Sequence, residues 1–248
     1  MITSFNSNNS DRVPVVFDKT SWEEFGEKAE LSLDFSRHPM VLSVGGTGSG
    51  KSYFLSLLMG KIATHIPDSL LFLCSFKNMD FRDFADCPRH WAYEACSKGL
   101  NTFYESFQAR LNGVDMTTNR KFLVFDEWAA FVLSQDKKVS EEVKRKLSTL
   151  LMMGRGVQHH VILGLQRADA QLFPLGGRDQ FGAILALGNL SKEQKLMLFP
   201  DSHDDMTAVN RRGEGYLSLD GEPLKCIRVP TVTNVERLNA AIRDGLTR

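Results

Sequence analysis

The stretch "SVGGTGSGKSYFL", residues 43–55, carries the strongest structural signal in the chain. It fits the pattern G-x-x-x-x-G-K-[ST], with an apolar segment before it and the helix-like segment "SYFLSLLMGKIATHI" after it. Glycines in this number indicate a backbone that must approach another group closely. Successive loop N–H groups, together with the positive end of the following helix, would form a nest for anions. The stretch therefore predicts a phosphate-binding loop between a strand and a helix.

The residues of this loop have distinct predicted roles. Lys51 would reach the β- and γ-phosphates of a nucleotide, and the Ser52 hydroxyl would bind Mg²⁺. The predicted nucleotide-binding residues are Gly45, Gly46, Thr47, Gly48, Ser49, Gly50, Lys51 and Ser52. The alternative is a glycine-rich turn that binds nothing, and the strand–loop–helix context disfavours it.

Short apolar runs, separated by helix-like segments, recur along the chain and predict the fold class. An α/β fold with a mainly parallel central sheet, flanked by helices, follows from such alternation. A C-terminal hairpin, "GEGYLSLDGEP" with "LKCIRVPTV", would extend the sheet, and a short amphipathic helix follows it. The predicted strands are 39–44, 69–76, 121–127, 160–166 and 182–188, and the helix-like segments are 51–64, roughly 79–112 with breaks, 138–153 and 191–198. Residues 1–12 are predicted to be a flexible polar tail, and residues 13–248 a single domain.

The composition limits the possible partners. The 248 residues are 42% hydrophobic and 24% charged, with 30 basic and 30 acidic side chains, so the formal net charge is zero. A strongly basic nucleic-acid binder is therefore not expected, and any DNA contact must come from local basic loops. No apolar stretch approaches the roughly 20 residues that cross a bilayer, and no secretory signal is present, so we expect a cytoplasmic protein without membrane insertion.

The cysteines and histidines predict no metal site. The four cysteines lack zinc-site spacing, which favours reduced thiols. The pair His159 and His160 has no ligand partner at a suitable spacing, which favours a core or surface role over metal binding.

Two adjacent carboxylates follow a predicted strand in "KFLVFDEWAAF", residues 121–131. Asp126, at the end of the strand, would hold Mg²⁺ through its water shell. Glu127 would orient and polarise a water for attack on the γ-phosphate, as in RecA-like P-loop hydrolases. The alternatives are a strand-end cap for Asp126 and a solvated side chain for Glu127.

The order of the strands along the chain separates classes of P-loop protein. The strand 69–76 falls in sequence between the phosphate loop and Asp126. This suggests that another strand separates the phosphate-loop strand from the aspartate strand in the sheet, as in motors and ATPases, unlike nucleoside kinases and GTPases. An N-K-x-D guanine signature is also absent, so ATP is favoured over GTP.

A further polar residue, Gln166, ends the predicted strand "HVILGL". Ligands of open α/β sheets lie at this end of the strands. The Gln166 amide would contact both the γ-phosphate and the attacking water, so it is predicted to sense the nucleotide state. The alternative is a solvent-exposed glutamine at a strand end.

Together these segments resemble the FtsK/HerA-type DNA-pumping ATPases, a family that includes the coupling proteins of conjugation. The resemblance covers roughly residues 38–232 and depends on "FLVFDEWAAF" and "GRGVQHHVILGLQRAD" more than on the generic phosphate loop. "SFKNMDF" (75–81) lies where the family often has D-P-K, with Ser75 in place of the acid. The resemblance implies a RecA-like motor domain that uses ATP and Mg²⁺, assembles as a homo-oligomer, most typically a hexameric ring, and binds double-stranded DNA.

The same resemblance suggests an arginine that acts between subunits. Arg155 lies eleven residues before Gln166, where coupling proteins place an arginine proposed to reach the nucleotide of a neighbouring subunit. The alternative for Arg155 is capping of a helix end, since Gly156 follows it. Arg211 and Arg212 are weaker candidates for the same role.

Local basic residues would supply the DNA contacts, which would be independent of sequence and sensitive to salt. The candidates are Lys137, Lys138, Lys144, Arg145, Arg167 and Arg178. An ordinary solvated helix would have the same pattern around "SEEVKRKL", with Glu142 four residues before Lys146.

The sequence therefore predicts an ATP-driven translocase of double-stranded DNA from a mobile element or phage, acting in transfer, packaging or replication. The family's membrane segments and C-terminal winged-helix DNA reader are not found, so we expect recruitment by another protein, such as a relaxase or a replication protein. The alternative is an assembly or switch ATPase that recruits partners without pumping DNA. A small-molecule kinase is disfavoured by Glu127 and Gln166.

Overall fold

A computed structural model describes residues 11–77 and 79–248 of the chain. Strands and helices alternate through most of this length. The strands are β1 (Arg12–Asp18), β2 (Glu30–Asp34), β3 (Met40–Gly45), β4 (Leu70–Ser75), β5 (His90–Ala92), β6 (Lys121–Asp126), β7 (His159–Leu165), β8 (Ala183–Leu187), β9 (Glu214–Leu219) and β10 (Lys225–Arg228). The helices are α1 (Lys19–Phe25), α2 (Lys51–His65), α3 (Cys96–Leu111), α4 (Trp128–Ser134), α5 (Lys137–Met153), α6 (Lys192–Leu198) and α7 (Val235–Thr247).

All ten strands join one sheet in the order β2-β1-β10-β9-β8-β3-β7-β6-β4-β5. The six strands from β8 to β5 are parallel to one another. The hairpin of β9 and β10 continues the sheet antiparallel to β8, and β1 and β2 complete it. The predicted α/β fold, with a mainly parallel sheet and a C-terminal hairpin extension, is confirmed.

The central strands are mainly apolar because helices cover both faces of the sheet. Every residue of β3, β6 and β7 is buried. On one face the sheet packs against α2 and α7, for example through Phe54, Leu58 and Ile242. On the other face it packs against α3, α4 and α5, with Phe103 and Trp128 in the core.

The register of the parallel strands aligns their carboxyl ends at one edge of the sheet. Gly164 of β7 pairs with Ser43 of β3 on one side and with Asp126 of β6 on the other. The loop after β3, the residue after β6 and the residue after β7 therefore emerge side by side. This edge is where open α/β sheets place ligands.

The order of the strands refines one expectation. A strand does separate β3 from β6, but it is β7, which comes later in the chain. The strand that falls between the two motifs in sequence, β4, lies on the far side of β6. Gln166 thus leaves the sheet between the phosphate loop and Asp126.

One expectation about the chain was wrong in detail. The predicted tail, residues 1–12, ends too late, because β1 begins at Arg12 and the Phe35 N–H donates to the Asp11 carbonyl at 3.0 Å. Residues 1–10 lie outside the described residues. The predicted helix-like segment of roughly 79–112, expected to have breaks, contains α3 in its second part and the short strand β5 before it. Within the described ranges, no helix is long and apolar enough to cross a bilayer.

Candidate active site

The loop between β3 and α2 has the backbone that the glycine pattern predicts. Gly48 and Gly50 have φ values of 81° and 102°, in the left-handed region that favours glycine. A Cβ added at Gly46 or Gly48 would meet no atom within 4 Å. Gly46 and Gly48 therefore face open space, in a cavity that the loop lines. A phosphate group fits this cradle, because the first N–H groups of α2 have no partner within the helix.

Four predicted side chains join Lys51 in one hydrogen-bonded network. The Lys51 Nζ donates to Asp126 Oδ1, and also to Glu127 Oε1 at 3.3 Å. The Ser52 Oγ donates to Asp126 Oδ2 at 3.2 Å. The Gln166 Nε2 donates to Glu127 Oε1 at 3.1 Å. The geometry thus brings together residues from three separate motifs of the sequence.

Burial and the Lys51 ammonium shift the pKa values of Asp126 and Glu127 in opposite directions. Burial raises the pKa of Asp126 above its ordinary value, although the Lys51 ammonium opposes this shift. Burial would also raise the pKa of Glu127, but Lys51, the Gln166 amide and Lys77 outweigh it, and that pKa is lowered. Glu127 is therefore ionised at neutral pH, as a group that polarises water must be.

Glu127 has an unusual backbone for a residue with a side chain. Its φ of 63° and ψ of 44° lie in the left-handed region, at the residue immediately before α4. This conformation costs on the order of 1–3 kcal/mol and is concentrated at functional sites. It turns the chain sharply at the end of β6, where the Glu127 side chain reaches Gln166.

A glycine missed by the sequence analysis makes room for Asp126. A Cβ on Gly164 would lie 2.6 Å from Asp126 Oδ1 and 2.9 Å from Leu55 Cδ1. Any side chain at 164 would therefore displace the carboxylate. The signal was present, because a glycine inside the apolar run "HVILGL" is typical of a close approach in a strand.

A cavity of about 560 Å³ lies over the loop and contains the network described above. It adds residues to which the sequence analysis gave no role in this site, among them Tyr53 and Lys77. The Lys77 Nζ lies 3.4 Å from Glu127 Oε1. Arg212, considered above for a role between subunits, lines the cavity of its own chain. The Gly213 N–H donates to the Ser49 carbonyl at 2.9 Å, which holds that segment against the loop.

The donor atoms at the loop fit a hard divalent cation. The Ser52 hydroxyl and the Asp126 carboxylate present oxygen atoms side by side, next to the cradle for phosphate. Mg²⁺ usually binds through one or two such protein oxygens, with waters and substrate phosphates completing its shell. The residues present are therefore suitable for Mg²⁺ bound together with a nucleotide.

Arg155 lies away from this group. It is exposed, in a short 3-10 turn just before β7 begins, whereas Gln166 follows the end of β7. Since a strand rises about 3.3 Å per residue, β7 separates the two by roughly 20 Å. Arg155 therefore does not contribute to the cavity of its own chain.

The candidate DNA-contact residues fall into two groups. Some have acidic partners: Lys144 lies 2.5 Å from Glu141, Arg167 is 3.7 Å from Glu193, and Arg178 is 3.9 Å from Asp179. The others are exposed on α5 without an ion pair to a described residue: Lys137, Lys138 and Arg145. The expected pair of Glu142 with Lys146 is present at 2.7 Å, as an ordinary solvated helix would have it.

Comparison with known proteins gives a relative in sequence and several in fold. No protein-family model matches the chain. It is 28% identical over 205 residues to the FtsK domain-containing protein YdcQ of Bacillus subtilis (strain 168), covering 76% of this chain and 42% of that protein. The chain thus spans about two fifths of the length of this curated relative.

Two solved structures illustrate the similarity in fold. The pCW3 conjugation coupling protein TcpA, solved with ATPγS, has a TM-score of 0.71 at 17% identity, covering 90% of this chain and 66% of that chain. ATPases 2 and 3 of EccC from Thermomonospora curvata, solved with a signal sequence peptide, give a TM-score of 0.65 at 19% identity. The match covers 90% of this chain and 41% of that chain. The predicted resemblance to FtsK/HerA-type ATPases is confirmed, and the fold is that of RecA-like P-loop ATPases.

Proposed function

We propose that the protein hydrolyses ATP and uses the energy to move double-stranded DNA. The observation that carries the proposal is the single network of Lys51, Ser52, Asp126, Glu127 and Gln166 over an open glycine loop. A binding module would need the loop and the lysine only. An ionised glutamate and an amide beside the terminal phosphate are what hydrolysis requires.

The proposed reaction is attack of water on the γ-phosphorus of ATP. Glu127 orients the water and takes up its proton, a bond forms between the water oxygen and phosphorus, and the bond to the β-phosphate oxygen breaks. Lys51 exchanges its carboxylate partners for phosphate oxygens, and Gln166 contacts the γ-phosphate. Ser52 and Asp126 would hold Mg²⁺, which would neutralise charge on the phosphate oxygens.

The proposal includes a ring of identical subunits, with six as the expected number. Its support is the position of Arg155, which is exposed at the opposite end of β7 from its own cavity. In a ring, Arg155 would reach the nucleotide of the neighbouring subunit and stabilise the charge that develops in the transition state. The exposed cations Lys137, Lys138 and Arg145 would line the path of the DNA.

We further propose that the protein works in the cytoplasm, where another protein recruits it to DNA. The four cysteines are free thiols, as a reducing compartment keeps them. The coupling protein TcpA, which shares the fold, is a conjugation protein by name, and transfer of DNA is the process that we consider first. Packaging and replication remain the other candidate processes.

Steady-state ATP turnover, with and without duplex DNA and at low and high salt, tests this proposal. We expect several-fold stimulation by DNA that fades as salt rises, because phosphate contacts release counterions. Lys51→Ala serves as the control and should be inactive. Strong turnover without DNA dependence, or ATP binding without turnover, would favour the assembly or switch ATPase instead.

A further inference from the structure

Three donors converge on a single oxygen of Glu127. The Glu127 Oε1 lies 3.1 Å from Gln166 Nε2, 3.3 Å from Lys51 Nζ and 3.4 Å from Lys77 Nζ. Among the described residues, no hydrogen bond or ion pair is formed with the second oxygen, Oε2. The carboxylate is therefore fixed through one oxygen and has the other free to accept a bond from water.

The backbone holds Lys77 close to this carboxylate. Lys77 follows β4 by two residues, and β4 pairs with β6 in a register that sets Ser75 beside Asp126. The Phe76 N–H donates to the Asp126 carbonyl at 3.3 Å, which continues this pairing beyond the strand. The Lys77 side chain is half exposed and lines the same cavity, whereas Lys51 is only 5% exposed.

Nucleotide binding would change the charge balance around Glu127. Two lysines, Lys51 and Lys77, face the carboxylates of Asp126 and Glu127. In the proposed reaction Lys51 turns to the phosphates, so Glu127 loses one cation as the negative triphosphate arrives. Repulsion between like charges would then push the carboxylate out of position. Once Lys51 has turned away, Gln166 and Lys77 are the donors that still contact Glu127 Oε1. Of these two, only Lys77 carries a charge.

We propose that Lys77 is a positioning residue that keeps Glu127 oriented toward the attacking water once Lys51 has engaged ATP. This inference rests on the proposed ATP hydrolysis and deepens it. Lys77 acts through Glu127 and not on the nucleotide, so its loss lowers kcat and leaves nucleotide affinity unchanged. A displacement of about 1 Å in a reacting group can cost on the order of 100-fold in rate.

The test compares Lys77→Met with the wild type and with Lys98→Met, a control at an exposed lysine on α3. We expect Lys77→Met to lower kcat by about 10- to 100-fold at unchanged KM. Its Kd for a non-hydrolysable ATP analogue should equal that of the wild type, which also shows that the variant folds. Lys77→Arg should recover part of the rate, and Lys98→Met should behave as the wild type.

A double-mutant cycle identifies the partner through which Lys77 acts. In a Glu127→Gln background, Lys77→Met should cause little further loss of rate, because both changes remove the same interaction. An equal loss in both backgrounds, a raised KM with unchanged kcat, or a wild-type kcat in Lys77→Met would each overturn the role of Lys77. Absence of ATP turnover in the wild type would instead refute the proposed function itself.

Discussion

Glu127 is the residue on which hydrolysis depends in this account. It is ionised, bonded by Lys51 and Gln166, and held in a left-handed backbone conformation. Glu127→Gln keeps the shape of the side chain but removes the charge and the ability to take up a proton. We expect turnover to fall by about 10²- to 10⁴-fold, the usual contribution of a general base.

Single-turnover kinetics with radiolabelled ATP would measure this loss, with analogue binding as the control for folding. The Kd of Glu127→Gln for the analogue should stay near that of the wild type. Turnover at the wild-type rate in this variant would remove Glu127 from its proposed role and would leave the solvated-residue alternative.

The strand β7 links the site to a buried pair of histidines at its other end. The His160 ring stacks on Phe122 at a centroid distance of 4.6 Å, and its Nδ1 donates to the Pro39 carbonyl at 3.3 Å. Burial lowers the pKa of His160 to about 3, and that of His159 to about 4. Both rings are neutral core residues of the folded protein.

This burial predicts how stability depends on pH. The pKa of each histidine is lower in the folded protein than its ordinary value near 6.5. Between these two values the unfolded chain binds more protons than the folded one, so stability falls as pH falls below 6.5. Each buried histidine contributes about 1.4 kcal/mol per pH unit to this loss. His160→Phe keeps the aromatic stack and should reduce the slope by one such contribution. Urea unfolding between pH 7 and pH 5 measures it, and an unchanged slope would contradict the buried neutral ring.

The central strands were predictable because parallel strands buried on both faces appear as continuous apolar runs. The strands β1 and β2 were missed, since they lie at one side of the sheet, with β2 at its edge, and buried residues are mixed with partly buried and exposed ones in both. From the sequence, the segment of Lys77 was noted as similar to D-P-K and Arg212 was considered for a role between subunits, but neither side chain was placed in this cavity. Their place in the site is set by contacts distant in sequence, such as that of Gly213 with Ser49. The residues of the phosphate loop, Asp126, Glu127 and Gln166, by contrast, were found from the sequence. They follow or end predicted strands, and the carboxyl ends of parallel strands meet at one side of a sheet.

In the molecule as a whole, the cavity lies at the carboxyl ends of the parallel strands, and Arg155 lies at their amino ends. A subunit alone would therefore lack the arginine that the proposed ring supplies. We expect Arg155→Ala to lower turnover by about 10³- to 10⁵-fold, the range for an arginine delivered in trans. Binding of an ATP analogue to the isolated subunit should be unchanged.

Mixing two inactive variants distinguishes action in trans from capping of α5. Lys51→Ala subunits bind no nucleotide but still carry Arg155, so they should restore turnover to Arg155→Ala subunits in mixed rings. No recovery on mixing, together with a lowered unfolding midpoint for Arg155→Ala, would support helix capping instead.

In the proposed reaction Lys51, Asp126, Glu127 and Gln166 act together on the terminal phosphate of ATP. A crystal structure of the chain with a non-hydrolysable ATP analogue and Mg²⁺ tests it most directly. We predict that the Lys51 Nζ leaves its carboxylates for the γ-phosphate, at about 2.9 Å, with Glu127 and Gln166 within one water of it. A nucleotide bound outside the glycine loop, or Glu127 and Gln166 turned away from the phosphate, would contradict the account.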